Sequence, residues 1–419
     1  MIRPAHYDLL VIGGGAAGFF GAIQTAACNP ALRILILEKS TKLLSKVKIS
    51  GGGRCNVTHA CKEPTALSKH YPRGQKELKK LFYQFNAVDT VAWFGQLQVN
   101  LKTEPDGRIF PQSNNSQTII DCFLREAEKY KIEIKTGCEV THIANSTNHL
   151  TITCKDKTFT ASKVLVATGG YTKPENYNWL AALGHTIVEP IPSLFTFNEP
   201  EQHFASLMGV AVPHAEVKIA GTRFSQQGPV LITHWGLSGP AVIKLSAWAA
   251  VTLHQLKYTF TALVNWAGQP ELTVRNTLMA LKQHNNKKNI AGNPLFDVPK
   301  RLWEFLTGKA GIVPEKIWAD ASHKEINRLI ELLCASPFSI KGKTTFKEEF
   351  VTCGGIDWSE LDLATMESKL VPGLYFAGEV INTDGETGGF NFQAAWTTAW
   401  VAAQAIGNVE PQKQSLSKD

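Results

Sequence analysis

Apolar residues follow two different periods along this chain. Tyr7 to Ile12 is apolar except at Asp8, as in a strand buried on both faces, and residues 33–38 repeat the pattern. The alanine-rich stretch 15–28 between them reads as a helix, so residues 7–38 predict a βαβ unit. Leu78, Leu81, Phe82, Phe85, Val88, Val91 and Ala92 recur at helical spacing and predict one helix over 75–98. A second amphipathic helix is predicted over 116–130, where Lys129 and Lys131 near the end suit the helix dipole. Residues 104–108 read as a turn. Short alternating runs at 132–135, 139–143, 150–153 and 158–161 predict strands, followed by a buried strand from Lys163 that ends in Thr168-Gly169-Gly170.

Beyond Pro192 the texture changes. Short β-like runs (193–198, 215–219, 230–233, 258–264) surround a helix at 241–253, and residues 273–334 are mainly helical. A strand over 371–379 then ends in Gly378-Glu379, and residues 383–392 open a helix reaching about Ile406. The tail from Glu410 is polar and expected to fray. The predicted class is α/β, with a discontinuous Rossmann-like nucleotide-binding domain (1–192 and 346–411). It is interrupted by an inserted β-rich domain (193–270 and 335–345) and a helical subdomain (271–334).

Composition narrows the picture without settling it. At 419 residues, 44% hydrophobic and 9% aromatic, the chain has enough length for large cores and is not of disordered type. Lys and Arg outnumber Asp and Glu by 43 to 36, a net +7 too small to choose between an anionic ligand and a nucleic acid. None of the eight cysteines forms a CxxC pair, so no zinc pair or dithiol redox pair is encoded, no metal is expected, and a disulfide reductase is disfavoured. Scattered cysteines favour the cytoplasm. The uncharged run from Leu9 to Leu32, ending near Thr25-Ala26-Ala27-Cys28, imitates a membrane or lipoprotein signal. Its glycines favour the strand, turn and helix instead.

The candidate chemistry begins in that run. Gly13-x-Gly15-x-x-Gly18 follows a strand and opens a helix: the first glycine permits the turn, the second lets a pyrophosphate approach the backbone, and the third lets helix and strand pack closely. Glu38 ends the second strand about 20 residues later, as a ribose-binding carboxylate does. A carboxylate there repels a 2′-phosphate, which leaves FAD and NAD. Three glycines in a row, Gly51-Gly52-Gly53, lie between Lys46, Lys48 and Arg54, as backbone held against a ligand would. The second helix N-terminus, beside Glu379, suits a flavin dinucleotide: the carboxylate for a ribityl hydroxyl, the helix amides for the flavin's pyrimidine carbonyl.

Taken together, Gly13–Gly18 with Glu38, 46–58, 167–170, Thr352-Cys353-Gly354-Gly355, 378–392 and 232–240 resemble one family over nearly the whole chain. This is the three-domain bacterial FAD-dependent oxidoreductase family that includes aminoacetone oxidase and bile-acid enone reductases, within the glutathione-reductase-like flavoprotein superfamily. The resemblance implies FAD contacts from Gly13, Gly14, Gly15, Ala16, Ala17, Gly18, Glu38 and Lys39, and from Lys46, Ser50, Gly51, Gly52, Gly53, Arg54, Cys55 and Asn56. It extends them to Val140, Thr168, Gly169, Gly378, Glu379, Gly388, Gly389, Phe390, Asn391 and Phe392. The family carries a longer glycine- and serine-containing loop after Ala167-Thr168-Gly169-Gly170. Here 171–177 is short, so no substrate contact is carried over to it.

Arg54, Asn56 and Cys353 are the candidates near the reactive ring, with Cys353 read as a small packed residue before a redox thiol. His234, in a glycine-bounded turn, is a candidate proton donor, although a structural role in the turn is the stronger reading. With only one GxGxxG motif, NAD(P)H is expected as a transient donor that docks against the flavin. Two reactions on a small-molecule substrate compete: NAD(P)H-driven hydride transfer to the β-carbon of an activated C=C bond, and oxidation of a small amine with hydrogen peroxide as product. A third reading is an RNA-associated flavoprotein that uses the basic stretch around Lys282, Lys287, Lys288, Lys300, Arg301 and Lys309. That stretch lacks interleaved aromatics, so no nucleic-acid partner is favoured, no membrane is expected, and the oligomeric state stays open.

Overall fold

The computed structural model describes residues 5–408 except 148, 156, 202–203, 285–286 and 345–350. The expected tail from Glu410 and the expected domain limits at 345/346 and 411 lie outside the described residues. Strand β1 (His6–Ile12), helix α1 (Ala16–Cys28) and strand β2 (Ile34–Leu37) form the βαβ unit, with β1 and β2 parallel from Leu9–Ile34 to Ile12–Leu37. The apolarity of the run from Leu9 is that of a core. Leu9, Leu10, Val11, Phe19, Phe20 and Ala22 are fully buried, and no described helix is long and apolar enough to cross a membrane.

The stretches predicted as separate strands at 158–161 and from Lys163 are one ten-residue strand, Lys157–Val166, lying parallel to β1. Its far edge is divided. Residues 157–161 pair antiparallel with Leu150–Cys154, and residues 164–166 pair parallel with Leu374–Phe376. The seven-stranded sheet therefore runs Glu133–Lys135, β2, β1, Lys157–Val166, Leu150–Cys154 and Val140–Asn145, with Leu374–Phe376 sharing the long strand's edge. The C-terminal helix Phe390–Gly407 packs on α1 through small residues: a methyl group added to Gly407 would stand 2.6 Å from Cys28 Cβ. Around them Phe20, Trp93, Phe123 and Trp396 pack ring against ring, with Phe20 and Trp93 centroids 4.8 Å apart.

Further local predictions change: the helix expected at 241–253 is two, Pro240–Trp248 and Ala250–Gln255, and the strand expected at 371–379 is only Leu374–Phe376. Residues 75–98 form two helices, Gln75–Phe82 and Ala87–Gln96. The Asn86 side chain accepts from the Val88 amide at 2.8 Å, and Asp89 accepts from the Asn86 amide at 2.8 Å. That capping box starts a new helix inside an unbroken apolar pattern. Thr58–His59, Leu101–Thr103 and Arg108–Pro111 pair into a three-stranded sheet. Strands of that length carry too few residues to show a period.

The described residues divide into two compact units, and the second runs from Ser193 to its last described residue, Thr344. Its seven-stranded sheet is antiparallel in the order Ser336–Lys341, Thr259–Asn265, Ala211–Ile219, Ser225–Thr233, Gly236–Ser238, Thr196–Asn198, Lys343–Thr344. Helices Glu271–His284, Lys300–Lys309 and His323–Ala335 share one core with that sheet, in which Trp266, Trp303 and Trp318 are buried with Val217 and Ile219.

Candidate active site

The glycine turn after β1 is shaped by contacts that no side chain could share. A methyl group on Gly13, whose φ is +115°, would meet the Ala167 carbonyl oxygen at 2.3 Å, and one on Gly18 would meet the Gly13 carbonyl oxygen at 1.9 Å. Gly15 is different: a methyl group there meets nothing within 4 Å. Helix α1 starts at this open glycine with no side-chain cap and no acidic residue in its first turn. Its first amides are thus left for an external anion, the arrangement that binds pyrophosphate at a helix N-terminus.

Glu38 is already oriented. Its carboxylate accepts from the Gly14 amide and the Ser40 amide, both at 2.8 Å, which fixes it beside the turn. The Cys138 amide donates to the Glu38 carbonyl at 2.9 Å and so brings the start of the Val140 strand alongside. Lys39 lies over the Tyr171 ring at 5.3 Å.

The other expected segments gather at the same ends of the parallel strands. A methyl group on Gly378 would stand 3.0 Å from Ala17 Cβ, and one on Gly169 would stand 3.9 Å from a Glu379 carboxylate oxygen. Lys46 Nζ pairs with Glu379 at 2.5 Å. Thr352 Oγ1 is buried, has no partner among the described residues, and lies where a side chain on Gly170 would stand. The segment read as a glycine loop begins as a helical turn, Ser45–Gly53, that breaks at Ser50; Gly51, Gly52, Gly53 and Cys55 all have positive φ. Methyl groups on Gly52 or Gly53 would meet nothing, so this backbone too is open to a neighbour.

Asn56 is committed to the protein. With its amide turned to match its neighbours, it donates to the carbonyls of Thr58 at 3.0 Å and Ile109 at 3.2 Å and accepts from the Gly389 amide at 2.9 Å. Asn391 exchanges two hydrogen bonds with the Gly385 backbone, and Phe392 stacks on Trp396 with centroids 5.5 Å apart. The C-terminal helix then starts at Gly389 with no acidic residue in its first turn. The fold thus supplies two helix N-termini, two strand-end carboxylates and an unpartnered buried hydroxyl. This donor and acceptor set fits a dinucleotide with a second polar ring system.

The catalytic candidates fare unequally. Arg54 pairs with Glu104 at 2.6 Å and lies 4.0 Å over the Phe110 ring, so its charge is already balanced. Cys353 is buried, with Sγ 3.7 Å from the Ile191 carbonyl oxygen, and burial pushes its thiol up to about 12. Burial likewise pushes Cys55 up to about 12. His234 belongs to the second unit, exposed at the turn between Ser225–Thr233 and Gly236–Ser238, its ring edge-on to Trp235 at 4.3 Å.

Sequence reading missed a cluster at the start of the C-terminal helix. His70 stacks on Phe390 with centroids 4.2 Å apart and bonds Glu386 through Nδ1 at 3.0 Å, while Arg73 pairs with the buried Asp384. His59 stacks on the same Phe390 ring at 4.8 Å. No motif spacing joins residues 59, 70 and 386, so only the folded chain reveals the group.

Comparisons with known proteins agree with this architecture. The chain is 30% identical over 414 residues to a ribosomal RNA dihydrouridine synthase of Escherichia coli K12, covering 96% of this chain and 98% of that protein. It is 27% identical over 418 residues to a 3-dehydro-bile acid delta(4,6)-reductase of Clostridium scindens, covering 94% and 98% respectively. A solved 3-ketosteroid-delta4-(5alpha)-dehydrogenase from Rhodococcus jostii RHA1 has the same fold at 14% identity, with a TM-score of 0.53 over 97% of this chain and 100% of that chain. The first of these relatives weighs against the expectation that no nucleic acid is involved. The HI0933-like protein Rossmann domain profile matches residues 7–405, and the chain belongs to this family of FAD-binding flavin oxidoreductases.

Proposed function

We propose that this protein is an NAD(P)H-driven, FAD-dependent reductase of a C=C bond conjugated to a carbonyl, and that its substrate is uridine in ribosomal RNA. The observation that carries the reading is chemical. The names of two full-length relatives specify very different substrates, yet both reactions reduce a C=C bond. In uracil, as in an enone, that bond is polarised by a carbonyl, so hydride adds to the carbon β to it and a proton to the α carbon. NAD(P)H and a proton are consumed, and NAD(P)⁺ and the saturated ring are produced.

FAD, when bound, carries the two electrons from the nicotinamide to the substrate. The chain's own residues hold and exclude. The amides of Ala16, Ala17 and Gly18 at the start of α1 would take the pyrophosphate, and Glu38, held by the Gly14 and Ser40 amides, would take the ribose hydroxyls. Lys46 and Glu379 hold the ribityl side. The unpartnered Thr352 hydroxyl and the first amides of the C-terminal helix would hold the ring, their fixed dipoles stabilising developing negative charge. Residues 1–192 and 346–411 bind the cofactor in this scheme, and the insert selects the substrate. The second unit contains no parallel βαβ motif among its described residues, which supports a nicotinamide that docks directly at the flavin.

The test is anaerobic. The yellow holoenzyme is mixed with NADH or NADPH, then with unmodified ribosomal RNA transcript. Bleaching by the nicotinamide, colour recovery on adding RNA and a two-hydrogen mass gain on uridine are the expected results. Recovery with a 3-oxo-Δ4 steroid but not with RNA would move the substrate to a small enone. Bleaching by aminoacetone and not by nicotinamide would overturn the reductase in favour of an amine oxidase.

A further inference from the structure

The net charge of this chain is unevenly placed. The segment 193–346 has 16 Lys and Arg against 10 Asp and Glu, whereas the remainder has 27 against 26. Six of the seven net positive charges thus sit in the second unit, outside the Rossmann-like fold. Many of its cations are neutralised locally: Arg275 by Glu271, Lys300 by Glu304, Lys316 by Glu325 and Arg328 by Glu331.

Arg301 and Lys309 are not. Arg301 donates to the backbone carbonyls of Ser206 at 2.6 Å and Met208 at 3.5 Å, and neither cation pairs with a carboxylate among the described residues. They lie on the helix Lys300–Lys309 with Phe305 midway, at positions i, i+4 and i+8, hence on one face. All three reach the surface. Phe204, distant in sequence, packs against Phe305 at 5.2 Å, and Lys309 Nζ lies 5.1 Å and 5.5 Å from the Phe305 and Phe204 ring centres. Phe204 itself is buried, packed between Phe305 and Phe338. The expectation that this basic stretch lacks interleaved aromatics is thus corrected: Phe305 lies between its cations, and Phe204 packs beneath that ring.

We infer that the Arg301–Phe305–Lys309 face of the second unit is a docking surface for single-stranded RNA. Uncompensated cations spaced by rings suit phosphates alternating with bases, and this composition binds strands with strong salt dependence. The inference rests on the ribosomal-RNA reading and locates the contact that the cofactor domain, at +1, is not charged to make.

The experiment measures binding of the full-length holoenzyme to a fluorescent ribosomal RNA transcript by anisotropy, across a salt series. The double variant Arg301→Gln/Lys309→Gln is compared with Lys316→Gln and the wild type. The double variant is expected to bind about 10-fold more weakly, and to lower the slope of log affinity against log salt by about 1.5, roughly 0.7–0.9 for each phosphate no longer neutralised. The Lys316 variant and NAD(P)H-driven flavin bleaching in all three proteins are expected to be unchanged. If wild type and double variant bind with equal affinity and slope, the surface is overturned and the RNA-substrate reading stands. If the wild type fails to bind at low salt, that reading falls too. Either single variant, each a change at a surface site, replaces the double should it fold poorly.

Discussion

Gly15 and Gly18 differ in what a methyl group would meet. At Gly18 it strikes the Gly13 carbonyl at 1.9 Å; at Gly15 it enters empty space in front of the α1 amides. Gly18→Ala is therefore expected to destabilise the apo protein by about 1–3 kcal/mol, the usual cost of overpacking. Gly15→Ala is expected to keep apo stability and to lose FAD affinity at least 10-fold, measured by denaturant unfolding and flavin titration. Equal FAD affinity in Gly15→Ala would show that nothing approaches that backbone. Cys353 behaves as a packed residue. With its thiol pushed up to about 12 by burial, it stays protonated at pH 8. Iodoacetamide at that pH is expected to alkylate exposed Cys28 and leave Cys353 and Cys55 intact in the native protein, read by peptide mass mapping. Native-state labelling of Cys353 would restore it as a redox candidate.

At the scale of elements, local signals and long-range ones separate cleanly. The helix His323–Ala335 starts on a capping box: the Ser322 side chain accepts from the Glu325 amide, and Glu325 accepts from the Ser322 amide at 2.7 Å and from Lys316 at 2.6 Å. The Lys316 hydrogen bond first, then that amide, hold the Glu325 carboxyl down at about 2. Its folded pKa lies below the ordinary 4.5, so the ionised form stabilises the fold above that pH, and the contribution is lost as pH falls from 4.5 toward 2. Glu325→Gln is expected to lose less stability than the wild type between pH 5 and pH 3 in urea titrations; parallel losses would refute the assignment. βαβ geometry, the Gly13–Gly18 turn and Glu38 were legible in sequence because each signal is contained within a few residues. The division of 75–98 was not, because the apolar stripe stays in phase across the Asn86 cap. The His70–Phe390–Glu386 cluster was not either, since only tertiary pairing of 70–73 with 384–386 creates it. Phe305 stood in plain view between Arg301 and Lys309, four residues from each. Its packing partner Phe204 is distant in sequence, so that contact was not legible there.

For the whole molecule, the two units have separate hydrophobic cores, and the proposed function gives them different tasks. FAD binding is assigned to the first, so FAD added to apo protein is expected to raise its stability by about 2.7 kcal/mol at 100 times Kd, seen as a rise in Tm. No rise at any concentration would contradict a cofactor held by the native fold alone. The long strand Lys157–Val166 adds a constraint of another kind, one of time. Among the described residues, its C-terminal end, 164–166, is paired on the far edge by Leu374–Phe376, and the whole insert intervenes. At about 5–20 residues per second, a translating ribosome takes roughly 10–40 s to make the intervening segment. For that interval the nascent sheet presents a bare parallel edge, the feature that invites pairing with other chains. The insert can close its own antiparallel core meanwhile. Expression at lower temperature or with chaperones in excess therefore acts on a vulnerability written into the order of synthesis, whatever the final stability of the protein.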